Sequence, residues 1–263
     1  MSSRTITSLA NPTVKSVRAL HMRKEREATG LFLAEGLKIV TEAVELGHAP
    51  RYLLHGPDAA DHPLTKAAAA KALANGGEVL EVNRDILEKV SRKENPQAVV
   101  GVFRQAFTPL SAIEPASAPC WVALEAVRDP GNLGTIIRTA DAAGCGGVIL
   151  VGDCVDPYGV EAVRATMGSI FAVKIAKATI AEFLAWRQTW RGSVVGTLLT
   201  AKVDHTTADY QRPTLIVMGN EAQGMTPEMA AACDLAVKIP MRGRADSLNL
   251  SVATGIMIYA ATA

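Results

Sequence analysis

The segment Trp121–Val151 has the sequence WVALEAVRDPGNLGTIIRTADAAGCGGVILV. Its ends, Trp121–Leu124 and Val148–Val151, are short apolar runs that predict buried strands, and the pattern of Leu133–Ala143 between them predicts a helix. A strand, a helix and a second strand within about 30 residues are typical of a parallel βαβ unit. The segment therefore predicts an α/β fold.

The same alternation continues to the C-terminus. The further candidate strands are Val173–Ile175, Val194–Leu198, Leu215–Met218 and Leu235–Ile239, and the further candidate helices are Ile180–Trp190, Thr226–Ala231 and about Leu248–Ala261. Short apolar strands separated by helices predict a parallel sheet with helices on both faces. Ligands of such sheets bind at the carboxyl ends of the strands, so we look for function in those loops.

A small α/β domain is predicted before this sheet. Its candidate strands are 31–34, 51–55, 78–82 and 98–103, and its candidate helices are about 12–28, 36–46, 65–74 and 84–90. The stretch TPLSAIEPASAP at 108–119 contains three prolines and no periodicity, which is typical of a linker. We therefore predict a first domain at 1–107, a linker at 108–119 and a second domain at 120–263.

Composition and charge exclude several classes of protein. Of the 263 residues, 49% are hydrophobic and 20% are charged, which excludes wholesale disorder. The net charge is only +1, but the first 30 residues carry a local basic excess, formed by Arg4, Lys15, Arg18, Arg23, Lys24 and Arg26. Such an excess either follows a phosphate backbone or is a solvated helix face.

Cysteine spacing and hydropathy indicate a cytoplasmic protein. Cys120, Cys145, Cys154 and Cys233 form no C-x-x-C pair, so we expect free thiols, with neither a disulfide framework nor a metal site. The N-terminus lacks an apolar signal core, and Leu248–Ala263 is too short and too polar to span a membrane.

Common nucleotide-binding and hydrolase motifs are missing from the sequence. It contains no G-x-G-x-x-G opening a strand-to-helix turn, no G-x-x-x-x-G-K-[ST] and no G-x-S-x-G. A nicotinamide oxidoreductase would need the first of these for its cofactor phosphates.

Polar side chains lie in three of the segments that follow predicted strands. Each lies either just after the strand or in the helix that comes next. Asn132 lies near a helix start, where it could simply be a cap, and Arg138 lies among apolar neighbours, where a guanidinium needs a partner or a ligand. Glu221 follows an apolar strand and Gly219, and a plain turn would not explain its carboxylate. Ser247 alone would be an N-cap in most proteins, and Asn249 adds a second polar group at the start of an apolar helix, whose N-terminus favours negative charge.

These stretches resemble the SpoU family of RNA ribose 2′-O-methyltransferases, which belongs to the knotted SPOUT superfamily. The resemblance is carried, in order, by NLGTIIRTADA, VMGNEAQGM and IPMRGRADSLNLSVATG, and it extends from Trp121 to the C-terminus. Ala222 stands where the family often has glycine, and Asp246 where it usually has glutamate. The first 105 residues, ending in ENPQAVVGVF, resemble the small substrate-binding domain of ribosomal-RNA members.

The resemblance implies a trefoil knot, a homodimer and S-adenosylmethionine as the cofactor, with no metal. The loops implied to hold the cofactor contribute Thr197, Leu198, Leu199, Met218, Gly219, Asn220, Ile239, Met241, Ser247 and Leu248.

The resemblance also implies roles in catalysis and in RNA binding. Arg138 matches the family arginine, and our hypothesis is that it clamps the RNA phosphate and stabilises the developing alkoxide, because a guanidinium stays protonated. Asn132, Glu221, Ser247 and Asn249 would orient Arg138, the ribose and the methionine portion. The candidate RNA contacts are Arg18, Arg23, Lys24, Arg26, Arg164, Ser169, Arg242 and Arg244.

The substrate is expected to be structured RNA, and the two-domain organisation favours ribosomal RNA. The alternative from another class is a non-catalytic RNA-binding protein that uses the knotted domain only for dimerisation.

Overall fold

The structure, a computed structural model, describes residues 4–263. The chain divides into two compact units. The first comprises the chain up to Gln105 together with Tyr158–Phe171, and the second comprises Ala106–Pro157 and Ala172–Ala263.

The first unit is built on a mixed sheet, which has five strands within residues 4–263. These are β1 (Arg4–Ile6), β2 (Leu31–Glu35), β3 (Tyr52–His55), β4 (Glu78–Val82) and β5 (Val99–Arg104), in the order β1-β4-β3-β5-β2. The strand β5 runs antiparallel to both of its neighbours, and the other pairs are parallel. The helices before residue 105 are α1 (Pro12–Ala19), α2 (Arg23–Thr29), α3 (Leu37–Glu45), α4 (Pro63–Ala74) and α5 (Arg84–Ser91).

The predicted N-terminal helix is in fact two helices. Asn11 caps α1 by accepting hydrogen bonds from the backbone N–H groups of Thr13 and Val14. The chain then leaves the helix and becomes extended at Met22, with φ −90° and ψ 130°. The break is stabilised by Arg26, whose guanidinium donates to the carbonyl oxygens of Leu20 at 2.8 Å and His21 at 3.0 Å. These carbonyls at the end of α1 would otherwise lack partners.

The second unit confirms the predicted α/β fold with a parallel sheet, which has seven strands in the described part of the chain. They are β6 (Cys120–Glu125), β7 (Gly147–Val151), β8 (Lys174–Ala178), β9 (Val194–Thr197), β10 (Val203–Asp204), β11 (Thr214–Met218) and β12 (Leu235–Lys238), in the order β10-β12-β9-β11-β6-β7-β8. Every neighbouring pair is parallel. All carboxyl ends therefore meet at one edge of the sheet.

Helices cover both faces of this sheet, as predicted. They are α6 (Pro130–Ala142), α8 (Ile180–Arg187), α9 (Pro227–Ala231) and α10 (Leu250–Thr262), and α7 (Val160–Thr166) belongs to the first unit. Trp121 and Ala123 of β6 share a buried cluster with Phe183 of α8 and Met229 of α9. The helices α6 and α10 pack against each other and contact β6, β7 and β11. Because side chains alternate along a strand, a sheet covered on both sides needs continuous apolar strands.

The compact units depart from the predicted domain boundaries at two places. Residues 108–119 lie with the second unit: Ile113 is buried in its core, and Trp121 donates its indole N–H to the carbonyl of Pro115 at 3.3 Å. Ile113, between the prolines, anchors this stretch to the second unit. The segment Tyr158–Phe171 lies with the first unit, where Val160 joins the core and α7 contacts β2.

Candidate functional site

A cavity of about 720 Å³ lies at the carboxyl ends of β9, β11 and β12, which are neighbours in the sheet. Every residue that the sequence predicted for cofactor binding lines this cavity: Thr197, Leu198, Leu199, Met218, Gly219, Asn220, Ile239, Met241, Ser247 and Leu248. We call it the main cavity. Parallel strand order brings these three loops together although they are far apart in sequence.

The turn after β11 is sterically constrained. A Cβ atom on Gly219 would lie 2.2 Å from the backbone of Gly224, so no side chain fits there. Asn220 closes the turn, because its Oδ1 accepts from the backbone N–H groups of Ala222 at 2.9 Å and Gln223 at 3.2 Å. Its Nδ2 donates to the carbonyl of Ala126 at 2.7 Å. The turn is thereby tied to the loop that follows β6.

Three of the predicted catalytic side chains form one hydrogen-bonded chain at the mouth of the main cavity. Asn249 donates its amide N–H to Oδ1 of Asn132 at 2.8 Å, and Asn132 donates its own amide N–H to Oε1 of Glu221 at 3.3 Å. These residues come from the starts of α10 and α6 and from the turn after β11. The three sequence motifs therefore converge in space.

Backbone groups hold both ends of this chain. The carboxylate of Glu221 accepts from the N–H groups of Arg128 at 3.2 Å and Asp129 at 3.3 Å. The N-cap of α6 is Asp129, which accepts from Asn132 N–H at 2.6 Å. Asn132 is therefore not the cap, and its side chain is available to the network. Asn249 is itself the N-cap of α10, where its Oδ1 accepts from the N–H groups of Ser251 and Val252.

Ser247 and Arg138 lie outside this chain of hydrogen bonds. Ser247 is exposed, lines the main cavity and donates its hydroxyl to Asp246 at 3.3 Å. Arg138 is also exposed, and among residues 4–263 its guanidinium makes no hydrogen bond or ion pair. It lies six residues after Asn132, about 9 Å further along the helix and two thirds of a turn around it. Arg138 does not line the main cavity.

The predicted RNA contacts fall into two groups. Arg23, Lys24, Arg242 and Arg244 are exposed, and Arg18 is half-buried. Arg26, in contrast, is only 4% exposed, because it caps α1 from inside the unit. The prediction that Arg26 contacts RNA does not fit this placement.

The segment around α7 requires a similar correction. Arg164 donates to the buried carboxylate of Glu35 at 2.6 and 3.1 Å and to the carbonyl of Ser91 at 3.1 Å. Ser169 is buried, 9% exposed. The buried carboxylate of Glu35 needs a partner of opposite charge, and Arg164 is that partner. The pair Glu35 and Arg164 therefore serves the interior of the first unit and not an RNA surface.

The main cavity fits S-adenosylmethionine on observations from its own walls. The hydroxyl Oγ1 of Thr197 is buried and has no hydrogen-bond partner in the described part of the chain, so a polar ligand group there would complete it. Apolar Leu198, Met218 and Ile239 line the same space. Walls that are mostly apolar and carry a few polar groups are typical of cofactor sites.

The sequence missed some residues of the site. Thr200, Gln223 and Met225 line the main cavity without having been predicted, although each is within a few residues of one that was. Glu125, buried at the end of β6, accepts from the N–H of Thr226 at 2.9 Å and helps to fix the turn. Its position at a strand end was the signal that could have identified it.

Neither a metal-type cluster of side chains nor a disulfide is found in the described residues. Within 4–263 no cluster of His, Cys, Asp or Glu has the arrangement of a metal site. The cysteines are free, as expected, and burial raises the pKa of the Cys154 thiol and raises that of Cys233 to about 12. In the same range, no helix has the length and apolar character to cross a bilayer.

Comparison with known proteins agrees with this geometry. Residues 119–259 match the model of the SpoU rRNA Methylase family, and residues 11–101 match that of the MRM3-like substrate binding domain. The chain is 30% identical over 256 residues to the 23S rRNA (guanosine(2553)-2′-O)-methyltransferase RlmP of Bacillus subtilis, covering 97% of each chain.

Solved structures of rRNA methyltransferases are also similar to this chain. An AdoMet-bound rRNA methyltransferase from Sinorhizobium meliloti is 48% identical, with a TM-score of 0.92 and coverage of 98% of this chain and 97% of that one. The SpoU methyltransferase AviRb from Streptomyces viridochromogenes, in complex with AdoMet, is 30% identical, with a TM-score of 0.82 and coverage of 96% and 97%. The converging motifs, the cavity and these matches together establish that the chain belongs to the SpoU rRNA methylase family.

Proposed function

We propose that this protein transfers a methyl group from S-adenosylmethionine to the 2′-hydroxyl of a ribose in ribosomal RNA. The observation that carries the proposal is the hydrogen-bonded chain of Asn249, Asn132 and Glu221 at the mouth of a cavity lined by the predicted cofactor loops. When bound, S-adenosylmethionine would supply an electrophilic methyl group on a sulfonium. As the hydroxyl oxygen attacks in line, the methyl carbon–sulfur bond would break, S-adenosylhomocysteine would leave, and the hydroxyl proton would pass to the RNA phosphate or to water. The protein must therefore hold the two reactants at about 3 to 3.5 Å from each other.

The cofactor loops act mainly by shape and by backbone groups. Gly219 lets the chain turn sharply after β11, and Asn220 locks that turn to Ala126. Thr197 offers a buried hydroxyl that has no hydrogen-bond partner among residues 4–263. We infer that this hydroxyl binds a polar group of the cofactor, and that Ile239 and Leu248 contact its apolar surface.

The asparagine and glutamate network orients the ribose. Glu221 accepts from two backbone N–H groups, so its carboxylate is fixed and remains able to accept from a sugar hydroxyl. Asn132 is held from both sides, which fixes the orientation of its amide. Preorganised groups of this kind lower the barrier because they need no rearrangement during the reaction. Ser247 also lies at the mouth of the main cavity, and we assign it to bind the methionine portion of the cofactor.

Arg138 requires a second protomer in this proposal. Thr135 and Thr139, on either side of Arg138 along α6, line a groove that also contains Val252 and Tyr259 of α10. Val252 and Tyr259 are 52% and 56% exposed. Two large apolar residues that line the same groove are seldom this exposed in a monomer. We infer that a homodimer forms on this face and that Arg138 then reaches the RNA at the partner's cavity. There it clamps a phosphate and stabilises the developing alkoxide.

The remaining exposed cations are assigned to RNA. Arg18, Arg23 and Lys24 on the first two helices, with Arg242 and Arg244 in the loop before α10, are proposed to contact the phosphate backbone. The domain at 1–107 is proposed to bind the RNA substrate, supported by its match to a substrate-binding domain. Since the substrate is ribosomal RNA, we expect the protein to act in the cytoplasm.

Methyl transfer to RNA from a deletion strain tests the proposal. The purified protein is incubated with tritiated S-adenosylmethionine and ribosomal RNA from a strain that lacks the gene, and the 2′-O-methyl position is mapped. We expect one labelled nucleotide in the RNA from the deletion strain and none in RNA from the parent. Calorimetry with S-adenosylmethionine accompanies the assay. RNA binding without cofactor heat at millimolar cofactor and without methyl transfer would instead identify a non-catalytic RNA-binding protein.

A further inference from the structure

A second cavity of about 450 Å³ lies beside the main cavity in the second unit. Its walls come from the loop after β6, at 125–128, and from the turn after β11, at 220–227. Asn220, Gln223, Gly224 and Met225 line both cavities. A single turn of the chain therefore separates the proposed cofactor site from this second space.

The second cavity has walls that are fixed by hydrogen bonds. Glu125, 2% exposed, accepts from the N–H of Thr226 at 2.9 Å, and Asn220 donates to the carbonyl of Ala126 at 2.7 Å. Ala126 itself has a φ of 49°, a conformation that L-residues rarely adopt. Strained residues persist where the surroundings hold them and are frequent at ligand sites. The space is thus built into the fold.

Gln223 presents a free amide at the border of the two cavities. Its backbone N–H is held by Asn220, but among residues 4–263 its side-chain amide has no hydrogen-bond partner, and the residue is exposed. A primary amide offers donors and an acceptor in one plane. That pattern is complementary to the edge of a nucleobase.

Arg128 connects the second cavity to the proposed ribose site. Its backbone N–H donates to Glu221, which belongs to the catalytic network. Its guanidinium, on a side chain that is 61% exposed, pairs with Asp153 at 2.7 Å. Since a base is bonded directly to its ribose, a ribose held at Glu221 brings its own base next to this wall.

We propose that the second cavity binds the base of the nucleotide being methylated, with Gln223 contacting the edge of the base and Arg128 lying against the RNA backbone. This proposal rests on the proposed function and adds how the substrate nucleotide is selected. Bases in single-stranded RNA are recognised when they turn out of the stack into such pockets.

The test uses four RNA transcripts that differ only in the base at the mapped methylation position. Single-turnover transfer from tritiated S-adenosylmethionine gives kcat/KM for each transcript with the full-length protein. We expect the wild type to prefer one base and Gln223→Ala to reduce that preference about tenfold, as for loss of a good base contact. Gln223→Glu, which can only accept, should shift the preference towards bases that present amino groups. Arg128→Gln should lower kcat/KM by a similar factor on all four, because backbone contacts carry no base identity.

Controls separate base selection from folding and from cofactor binding. Gln188→Ala removes an exposed amide at the end of α8, outside both cavities, and should match the wild type. Because Gln223 also lines the main cavity, calorimetry measures the S-adenosylmethionine affinity of its variants, and all transfer assays are run at saturating cofactor. Unchanged base preference in both Gln223 variants overturns the inference, as does a wild type without preference or a variant that loses only cofactor affinity. A wild type inactive on every transcript refutes the proposed function itself.

Discussion

Asn249 is the residue whose replacement tests the proposed network most directly, because it has two separable hydrogen-bonding roles. Its Oδ1 caps α10 by accepting from Ser251 N–H at 2.9 Å, and its Nδ2 donates to Asn132 at 2.8 Å. Asn249→Ala removes both, Asn249→Ser keeps a capping oxygen but lacks the amide, and Asn249→Asp keeps the cap while facing Asn132 with a second acceptor.

The expected magnitudes follow from these contacts. Loss of the cap costs about 1 kcal/mol of the free energy of unfolding, or about 2 to 4 °C in Tm for a protein of this size. Loss of the hydrogen bond that orients Asn132 is worth about 1 to 1.5 kcal/mol, which is about tenfold in rate. Asn249→Ser should therefore keep the Tm and lose about tenfold in single-turnover rate. Asn249→Asp should also keep the Tm, since a helix N-terminus favours negative charge, and should lose more than tenfold.

The assay is single-turnover methyl transfer, with thermal unfolding of the same preparations. The matched control is Asn83→Ala, because Asn83 caps α5 in the first unit through Ile86 N–H at 3.0 Å. It should lose a similar amount of stability and no activity. Wild-type rates in Asn249→Ser and Asn249→Asp would refute the idea that this network orients the ribose, and equal loss in Asn83→Ala would point to stability alone.

Other parts of the structure give further predictions. Thr197→Val should weaken S-adenosylmethionine binding about three- to tenfold in calorimetry while leaving the Tm equal or higher, because it removes a buried hydroxyl that has no partner in the described part of the chain; an unchanged dissociation constant would contradict this. Arg26→Ala should lower the free energy of unfolding in urea by about 2 kcal/mol through loss of its two carbonyl contacts, whereas Arg23→Ala should change it by less than about 0.5 kcal/mol and weaken RNA binding in a filter assay. Mixing Arg138→Ala with Asn249→Ala protein should give more activity than either variant alone if Arg138 works at the partner's cavity, since a mixed dimer keeps one intact site; no gain after confirmed subunit exchange would place Arg138 in its own protomer.

Local sequence patterns were sufficient to predict most of the strands and helices. The apolar runs at Leu215–Met218 and Val148–Val151 were predicted as strands and are strands, because a strand buried on both faces must be apolar throughout. The split between α1 and α2 could not be predicted, because it depends on Arg26 reaching back to two carbonyls, and nothing in the local pattern indicates that contact.

The loops predicted to hold the cofactor came from the resemblance: those after β11 and β12 lie within its motifs, and the loop at 197–199 does not. Their residues form one cavity because parallel strands place their carboxyl ends at the same edge. The charged residues were predicted less well. Arg164 was predicted to contact RNA, yet it pairs with Glu35, 129 positions earlier in the chain. Sequence alone cannot distinguish an arginine that faces RNA from one that neutralises a buried carboxylate.

The amino-acid sequence by itself determined most of the strands and helices and the residue types of the three motifs, since these depend on short patterns of apolar, glycine and polar residues. The tertiary structure alone decided which polar groups meet. It joined Asn249, Asn132 and Glu221 into one chain of hydrogen bonds, left Arg138 outside the main cavity, buried Arg26 and paired Arg164 with the buried Glu35. The physical reason is that hydrogen bonds and ion pairs act over about 3 Å, and that proximity is set by the packing of helices and strands distant in sequence.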